Sequence, residues 1–174
     1  TSGNLIVVDW GNHKIRKIFN GAKLTGDSSG QAGDYPVVLT ANDGSGGTIT
    51  QTFTITIDNT APTVTLTDTD SDNIVKDSDT VTITATFNED MATAPTIRIG
   101  SLVTDVIMTA TSSATWTYAW DVPSGSDGTV SATVSGTDIA GNAYTGTDSI
   151  TFTIDNTAPT VTLTDTDSDN IVKD

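Results

Sequence analysis

The sequence predicts an all-β fold in which antiparallel strands form a sandwich of two sheets. Apolar residues alternate with Thr or Ser over short stretches, most clearly at residues 81–87 and 130–134, and this period of two is typical of half-buried strands. Clusters of Gly, Asp, Asn and Ser, as at residues 42–47 and 124–128, separate these stretches and are typical of turns. No stretch carries apolar residues at helical spacing over several turns, so strands are expected to account for the fold.

Seven strands are expected in the central part of the chain. They are predicted near residues 63–67, 79–87, 95–100, 102–109, 115–122, 129–136 and 148–154. Seven short antiparallel strands within about 100 residues are the usual content of one sandwich domain.

One segment of the chain occurs twice, letter for letter, at residues 56–77 and again at residues 153–174. The offset between the two copies, 153 − 56, is 97 residues, which is close to the length of one sandwich domain. The chain is therefore expected to be a window cut from a tandem array. The predicted parts are a hairpin at 1–23, the C-terminal half of a module at 24–57, one complete sandwich at 58–157, and the first strand and acidic loop of the next sandwich at 158–174.

Three motifs of the complete unit resemble the bacterial Ig-like repeats of very large surface adhesins. They are Phe87-Asn88-Glu89-Asp90-Met91, Gly136-Thr137-Asp138-Ile139-Ala140-Gly141-Asn142 and Ile154-Asp155-Asn156-Thr157-Ala158-Pro159. The resemblance covers about residues 58–157 and implies immunoglobulin-like antiparallel β-sandwiches in tandem, with partial β modules at both ends. It also implies an extracellular location, at the cell surface or secreted, and a spacer role in a stalk that calcium often stiffens.

The first third of the chain resembles two other kinds of β module. Residues 34–57 resemble the last two strands of a cadherin-like or Ig-like module, and residues 3–18 are similar to an NHL propeller repeat with a turn at Trp10 to Asn12. One such hairpin does not close a propeller, because propeller repeats bury one another's faces. It is expected to be the tail of a preceding propeller or a hairpin that completes the truncated module.

Composition excludes several classes of function. The net charge is −15, with 22 acidic and seven basic residues, so most of this surface would repel the phosphates of a nucleic acid. Cysteine is absent, which excludes disulfides and thiolate sites, and no apolar run approaches the roughly 20 residues of a membrane span. We expect neither a nucleic-acid partner nor direct membrane insertion.

Acidic residues near the two ends of the predicted sandwich are candidate calcium ligands, because carboxylate and amide oxygens suit this hard cation. The predicted entrance cluster contains Asp58, Asn59, Asn88, Glu89, Asp90 and Asp138. The predicted exit cluster contains Asp68, Asp70, Asp72, Asp155 and Asn156, joined by Asp127. The alternative is that the Asp-rich loop caps backbone groups without an ion, and that Pro62 alone stiffens the linker.

Trp116, Tyr118 and Trp120 alternate along one predicted strand and so share a face. An exposed row of rings would suit glycan binding, whereas a buried row would belong to the core of the sandwich. The core is the favoured interpretation. No enzyme is expected, since His13 is the only histidine and no Ser or Asp has a recognisable partner for proton transfer.

The expected partners are the neighbouring Ig-like repeats of the same protein. A further alternative is self-association, in which unpaired strand edges at the partial modules pair with another chain and build a dimer or filament.

Overall fold

The computed structural model describes residues 5–9, 14–18, 32–42 and 45–165, and every regular element in these ranges is a β-strand. The all-β prediction is confirmed. The chain divides into two compact units, Thr1–Ile57 and Asp58–Asp174. Among the described residues, none forms a helix with the length and apolar character that crossing a membrane requires.

Two sheets of the Asp58–Asp174 unit form the sandwich. The strands are β5 (Val64–Asp68), β6 (Ile74–Val75), β7 (Thr80–Phe87), β8 (Thr96–Ile99), β9 (Val103–Ile107), β10 (Thr109–Ala110), β11 (Thr115–Asp121), β12 (Gly128–Ser135) and β13 (Ser149–Ile154). In the four-stranded sheet the order is β10-β11-β7-β5, and in the five-stranded sheet it is β6-β13-β12-β8-β9. All pairings are antiparallel except that of β6 with β13, which is parallel.

The observed strands depart from the predicted ones at two places. The single strand expected at 102–109 is wrong, because the chain passes from β9 in one sheet to β10 in the other at Met108, whose side chain is buried. Strand β6 was missed, since its two residues are too few to show alternation. Together β5 and β6 place residues 64–75 along the edges of both sheets.

The core lies between the two sheets, where the alternation seen in the sequence directs apolar side chains inward. In β7, Val81, Ile83 and Ala85 are buried, while the threonines between them are half-buried. Trp120 of β11 packs on Phe152 of β13 with ring centroids 5.3 Å apart. This contact joins the sheets at the largest buried side chains of the unit.

The described residues of the Thr1–Ile57 unit form two antiparallel ribbons. One consists of β1 (Leu5–Asp9) and β2 (Lys14–Ile18), and the other of β3 (Gly33–Asn42) and β4 (Thr48–Ile57). The predicted turn at Trp10 to Asn12 lies outside the described residues. The NHL and cadherin resemblances therefore stay predictions.

The β3–β4 ribbon has the same register as the β12–β13 pair. In each pair a glycine at the start of the first strand is opposite the last isoleucine of the second, Gly33 with Ile57 and Gly128 with Ile154. Both glycines have a positive φ, 138° and 129°, which residues with a Cβ rarely adopt. The ribbon thus has the geometry of the last two strands of a sandwich.

Stability is expected to depend on the aromatic contact between the sheets. Phe152→Ala should lower the free energy of unfolding of this unit by about 3–5 kcal/mol, because it removes a fully buried ring and leaves a cavity. Thr153→Ala, at the neighbouring exposed position, is the control and should cost less than about 1 kcal/mol. Urea denaturation followed by tryptophan fluorescence measures both, and equal losses in the two variants would contradict this account of the core.

Candidate functional site

The candidate site lies where the chain enters the sandwich, and backbone contacts assemble it from three segments. Asn88 follows β7; its N–H donates to the carbonyl oxygen of Thr63 at 3.1 Å, and its Oδ1 accepts from the N–H of Thr63 at 2.7 Å. Met91 forms an isolated antiparallel bridge with Asp138. These contacts hold the loop after β7 beside both the entering linker and the loop after β12.

Small residues permit this approach of the two loops. A Cβ at Gly136 would lie 2.7 Å from the terminal methyl of Met91, so the glycine allows the methionine to pack. Gly141 has a φ of 101° and lies in the tight turn that brings Asn142 back towards Asp138. The local backbone therefore requires glycine at positions 136 and 141 of the Gly136 to Asn142 motif.

Asp138 is fully buried, and hydrogen bonds satisfy both of its carboxylate oxygens. Oδ1 accepts from the backbone N–H groups of Gly141 and Asn142 at 2.7 and 2.8 Å, and Oδ2 accepts from Asn142 Nδ2 at 2.9 Å. Burial alone would raise the pKa of Asp138, but the bonds donated by Asn142, Gly141 and Ala140 outweigh it, so the pKa is lowered. Asp138 is therefore held as a buried anion.

Asn142 also connects Asp138 to the linker. Its Nδ2 donates to the backbone carbonyl oxygen of Asp58 at 3.1 Å as well as to Asp138. Asp58 in turn accepts a hydrogen bond from the N–H of Thr60 at 2.9 Å, which fixes a local Asx turn. Asn142 was not among the predicted site residues. The signal that points to it is the Asp138-Ile139-Ala140-Gly141-Asn142 spacing, which places a glycine where the turn needs it.

Asp58, Glu89 and Asp138 form the acidic triad of the entrance. Each offers one carboxylate oxygen, and these three oxygens lie within 4.8 Å of one another. The pKa of Glu89 is raised, first by desolvation and then by the negative charges of Asp138 and Asp58. The three carboxylates, when ionised, therefore repel one another, and binding of a proton or a cation would reduce this repulsion.

Of the other predicted entrance residues, Asp90 lies outside this acidic group, whereas the side chain of Asn88 forms a hydrogen bond with Glu89. Asp90 accepts a hydrogen bond from Ser113 Oγ at 2.5 Å, and Asn59 is an exposed residue of the linker. Only Asp58, Glu89 and Asp138 of the described residues form a group of three or more acidic, His or Cys side chains with this spacing.

The predicted exit cluster has a different arrangement. In the acidic loop, Asp68, Asp70 and Asp72 each accept a hydrogen bond from a backbone N–H two residues further on, at 2.8, 3.1 and 3.0 Å. The aspartates thus cap the backbone of their own loop through one carboxylate oxygen each. The parallel pairing of β6 with β13 does bring the end of this loop to Asp155, whose N–H donates to the carbonyl oxygen of Val75 at 2.9 Å.

Asn156 and Asp127 hold the exit of the sandwich instead. Asn156 Oδ1 accepts from the N–H of Asp77 at 2.6 Å, and the N–H of Asn156 donates to Asp127 Oδ1 at 2.9 Å. The bond from Asn156 is the main cause of the lowered pKa of Asp127, and Thr157 Oγ1 adds a bond of 3.2 Å. The exit is thus closed by hydrogen bonds between an amide, a hydroxyl and a carboxylate.

The three aromatic residues of β11 do not form an exposed row. Trp120 is buried against Phe152, and Trp116 and Tyr118 are half-buried and packed against the core. The glycan-binding alternative depended on an exposed row of rings, and Trp120 is buried. The row is part of the core because the inward face of β11 lies opposite β13.

Glu89→Gln is expected to stabilise the sandwich at pH 7 in the absence of divalent cations. Since the folded-state pKa of Glu89 is raised, its protonation contributes stability that is complete below the unfolded pKa of about 4.3 and is lost as pH rises through the folded pKa. The melting temperature of the variant should exceed that of the wild type at pH 7, and the two should converge near pH 4.

Asp72→Asn is the matched control for this measurement, because it removes one negative charge from the same unit outside the triad. It keeps the side-chain oxygen that caps the N–H of Ile74. Calorimetry in chelator at both pH values compares the variants. An equal gain from Glu89→Gln at pH 4 and pH 7 would show that repulsion within the triad is not its cause.

One known protein family matches most of the chain. A family model described as "Bacterial Ig-like domain (group 3)" matches residues 26–113 and, a second time, residues 114–174. The two matches meet at the turn between β10 and β11, so their limits differ from those of the compact units. Comparison with curated proteins finds none that matches this chain.

Proposed function

Because this chain belongs to the family of bacterial Ig-like domains of group 3, we propose that it is a non-catalytic spacer. In this proposal it is a structural repeat of a long extracellular bacterial surface or secreted protein of the adhesin type. It holds a binding domain at a distance from the cell, and its partners are the neighbouring repeats. Domains of this family are commonly found at the cell surface.

The observation that carries this proposal is that the chain enters and leaves the sandwich at opposite ends. The entering linker lies at the end of β7 marked by Phe87, where Asn88 bonds Thr63. The exit lies at the other end of β7, where Asp155 bonds Val75 and Asp79 bonds Lys76. Domains with this arrangement, joined in series, add their lengths, as a stalk requires.

The duplicated segment supports the spacer role because one copy contacts the domain that follows it and the other contacts the domain that precedes it. In the first copy Asp58 belongs to the triad of the domain that follows it, and in the second copy Asn156 bonds Asp77 and Asp127 of the domain that precedes it. Both copies contain the same Asx turn, from Thr60 N–H to Asp58 and from Thr157 N–H to Asp155, each at 2.9 Å. One Asp-Asn pair is thereby suited to bind a domain on each side.

We further propose that calcium binds the acidic triad and stiffens the entrance. Calcium takes six to eight oxygen ligands, and the carboxylates of Asp58, Glu89 and Asp138 offer a hard, negatively charged donor set. Hydrogen bonds from Asn142 and Thr60 already orient two of the three carboxylates. Desolvation and then the negative charges of Asp138 and Asp58 raise the pKa of Glu89, and the cation would offset these charges.

Calcium at about 100 times its Kd should stabilise the Asp58–Asp174 unit by about 2.7 kcal/mol and raise its Tm by about 10 °C. Extracellular modules bind calcium with a Kd of about 0.1–1 mM, so the concentration series should extend to about 100 mM. Scanning calorimetry of the chelated and the calcium-loaded chain gives the shift.

The double variant Asp58→Asn with Glu89→Gln should lose most of the gain. Asp68→Asn with Asp70→Asn is the matched control, since it removes the same charge while leaving oxygens that accept the bonds of the acidic loop. If the triad variant keeps the gain in stability, or if the loop variant loses it, the cation does not bind at the triad. The spacer proposal does not depend on this outcome.

A further inference from the structure

The loop between β12 and β13 begins with a short hairpin, residues 136–144, which we call the entrance hairpin. At its base, the N–H of Tyr144 donates to the carbonyl oxygen of Gly136 at 3.0 Å. Near its tip, the N–H of Asp138 donates to the carbonyl oxygen of Asn142, also at 3.0 Å. Asp138 thus lies on the outgoing arm of the hairpin, and Asn142 and Tyr144 lie on the returning arm.

The ring of Tyr144 packs on the end of β7. It contacts Phe87, the last residue of that strand, in an edge-to-face arrangement with ring centroids 6.2 Å apart and ring planes at 85°. Aromatic pairs of this geometry contribute stability beyond the area that they bury. Phe87 is buried, and Glu89 follows it by two positions. The ring therefore holds the returning arm beside the segment that carries Glu89.

The hydroxyl of Tyr144 holds the far end of the same loop. It donates to Asp148 Oδ2 at 2.7 Å and accepts from the N–H of Asp148 at 3.1 Å. Asp148 directly precedes β13, so these two bonds tie the returning arm to the start of that strand. Gly146 makes room for this arrangement, because a Cβ at position 146 would lie 2.5 Å from the hydroxyl oxygen. Both ends of the Tyr144 side chain are therefore fixed.

We propose that Tyr144 is a positioning residue for the acidic triad, an inference that rests on the calcium site proposed above. Tyr144 fixes the returning arm, and Asn142 on that arm donates to Asp138 Oδ2 and to the carbonyl oxygen of Asp58. The packing of the Tyr144 ring fixes the same arm to the segment of Glu89. The three carboxylates are thereby held at their spacing before a cation arrives, which reduces the ordering that accompanies binding.

Tyr144→Phe tests this role, because it keeps the ring on Phe87 and removes both bonds to Asp148. Loss of a group that orients a metal ligand typically lowers affinity by about 10–100-fold, and we expect the lower end, a Kd for calcium about tenfold higher. The calcium concentration that gives a fixed rise in Tm should increase by the same factor. Scanning calorimetry over the calcium series gives the Kd, and the scan in chelator gives the stability of the calcium-free chain.

Two further variants separate positioning from a general loss of stability. Tyr118→Phe is the matched control, since it removes the same hydroxyl from a half-buried tyrosine opposite Ile83, in the middle of β7, and should leave the Kd unchanged. Gly146→Ala alters neither Tyr144 nor Asp148, but its Cβ displaces the Tyr144 hydroxyl and should also raise the Kd. Position 146 accepts alanine because its φ lies outside the left-handed region.

Hydrogen exchange in chelator gives a readout without the cation. The N–H groups of Gly141 and Asn142 donate to Asp138, and their exchange should become about tenfold faster in Tyr144→Phe as the returning arm loosens. Unchanged exchange at these two amides would overturn the positioning role.

The calcium series separates failure of this inference from failure of the calcium site. If the wild type binds calcium and Tyr144→Phe binds it with the same Kd, Tyr144 does not position the triad, and the proposed site stands. A lower Tm in chelator with an unchanged Kd has the same meaning, because it shows a purely structural contribution. If the wild type gains no stability from calcium, the site itself is refuted, and the role of Tyr144 with it.

Discussion

The contact between the two sheets is the constraint on which the rest of the sandwich depends. Among residues 58–165 neither sheet has another apolar layer to pack against, and Trp120 and Phe152 join the two sheets within the core. With the sheets fixed face to face, the loops that connect them have fixed end points. The triad and the hydrogen bonds at the exit both lie on such loops, so their geometry depends on the core, which they meet at Met91 and Val75.

The fold was largely predictable because its main signal is local. Alternation of apolar residues with Thr gave β7, β11 and β12 to within about two residues. The passage of the chain between sheets at Met108 and the short strand β6 were not predictable in this way. Both depend on which sheet edge lies nearby, and no pattern within a few residues records that.

The candidate site was predictable only in part for a similar reason. Residue type and topology pointed to Asp58, Glu89 and Asp138, but also to Asp68, Asp70 and Asp72, each of which accepts backbone N–H groups through one carboxylate oxygen. The sequence alone does not distinguish a carboxylate that accepts hydrogen bonds within its own loop from one that faces two other carboxylates. What distinguishes them is the approach of Met91 to Gly136, a tertiary contact.

The parallel pairing of β6 with β13 has a mechanical consequence. A force that pulls the two ends of the sandwich apart loads these strands in opposite directions along their own axes. The bonds from Thr153 N–H to Asn73 and from Asp155 N–H to Val75, at 2.8 and 2.9 Å, lie across that direction. Tension therefore loads these hydrogen bonds at the same time. In an antiparallel pair pulled from one end, the hydrogen bonds would break one after another. The edge that closes the sandwich is also the edge that resists extension.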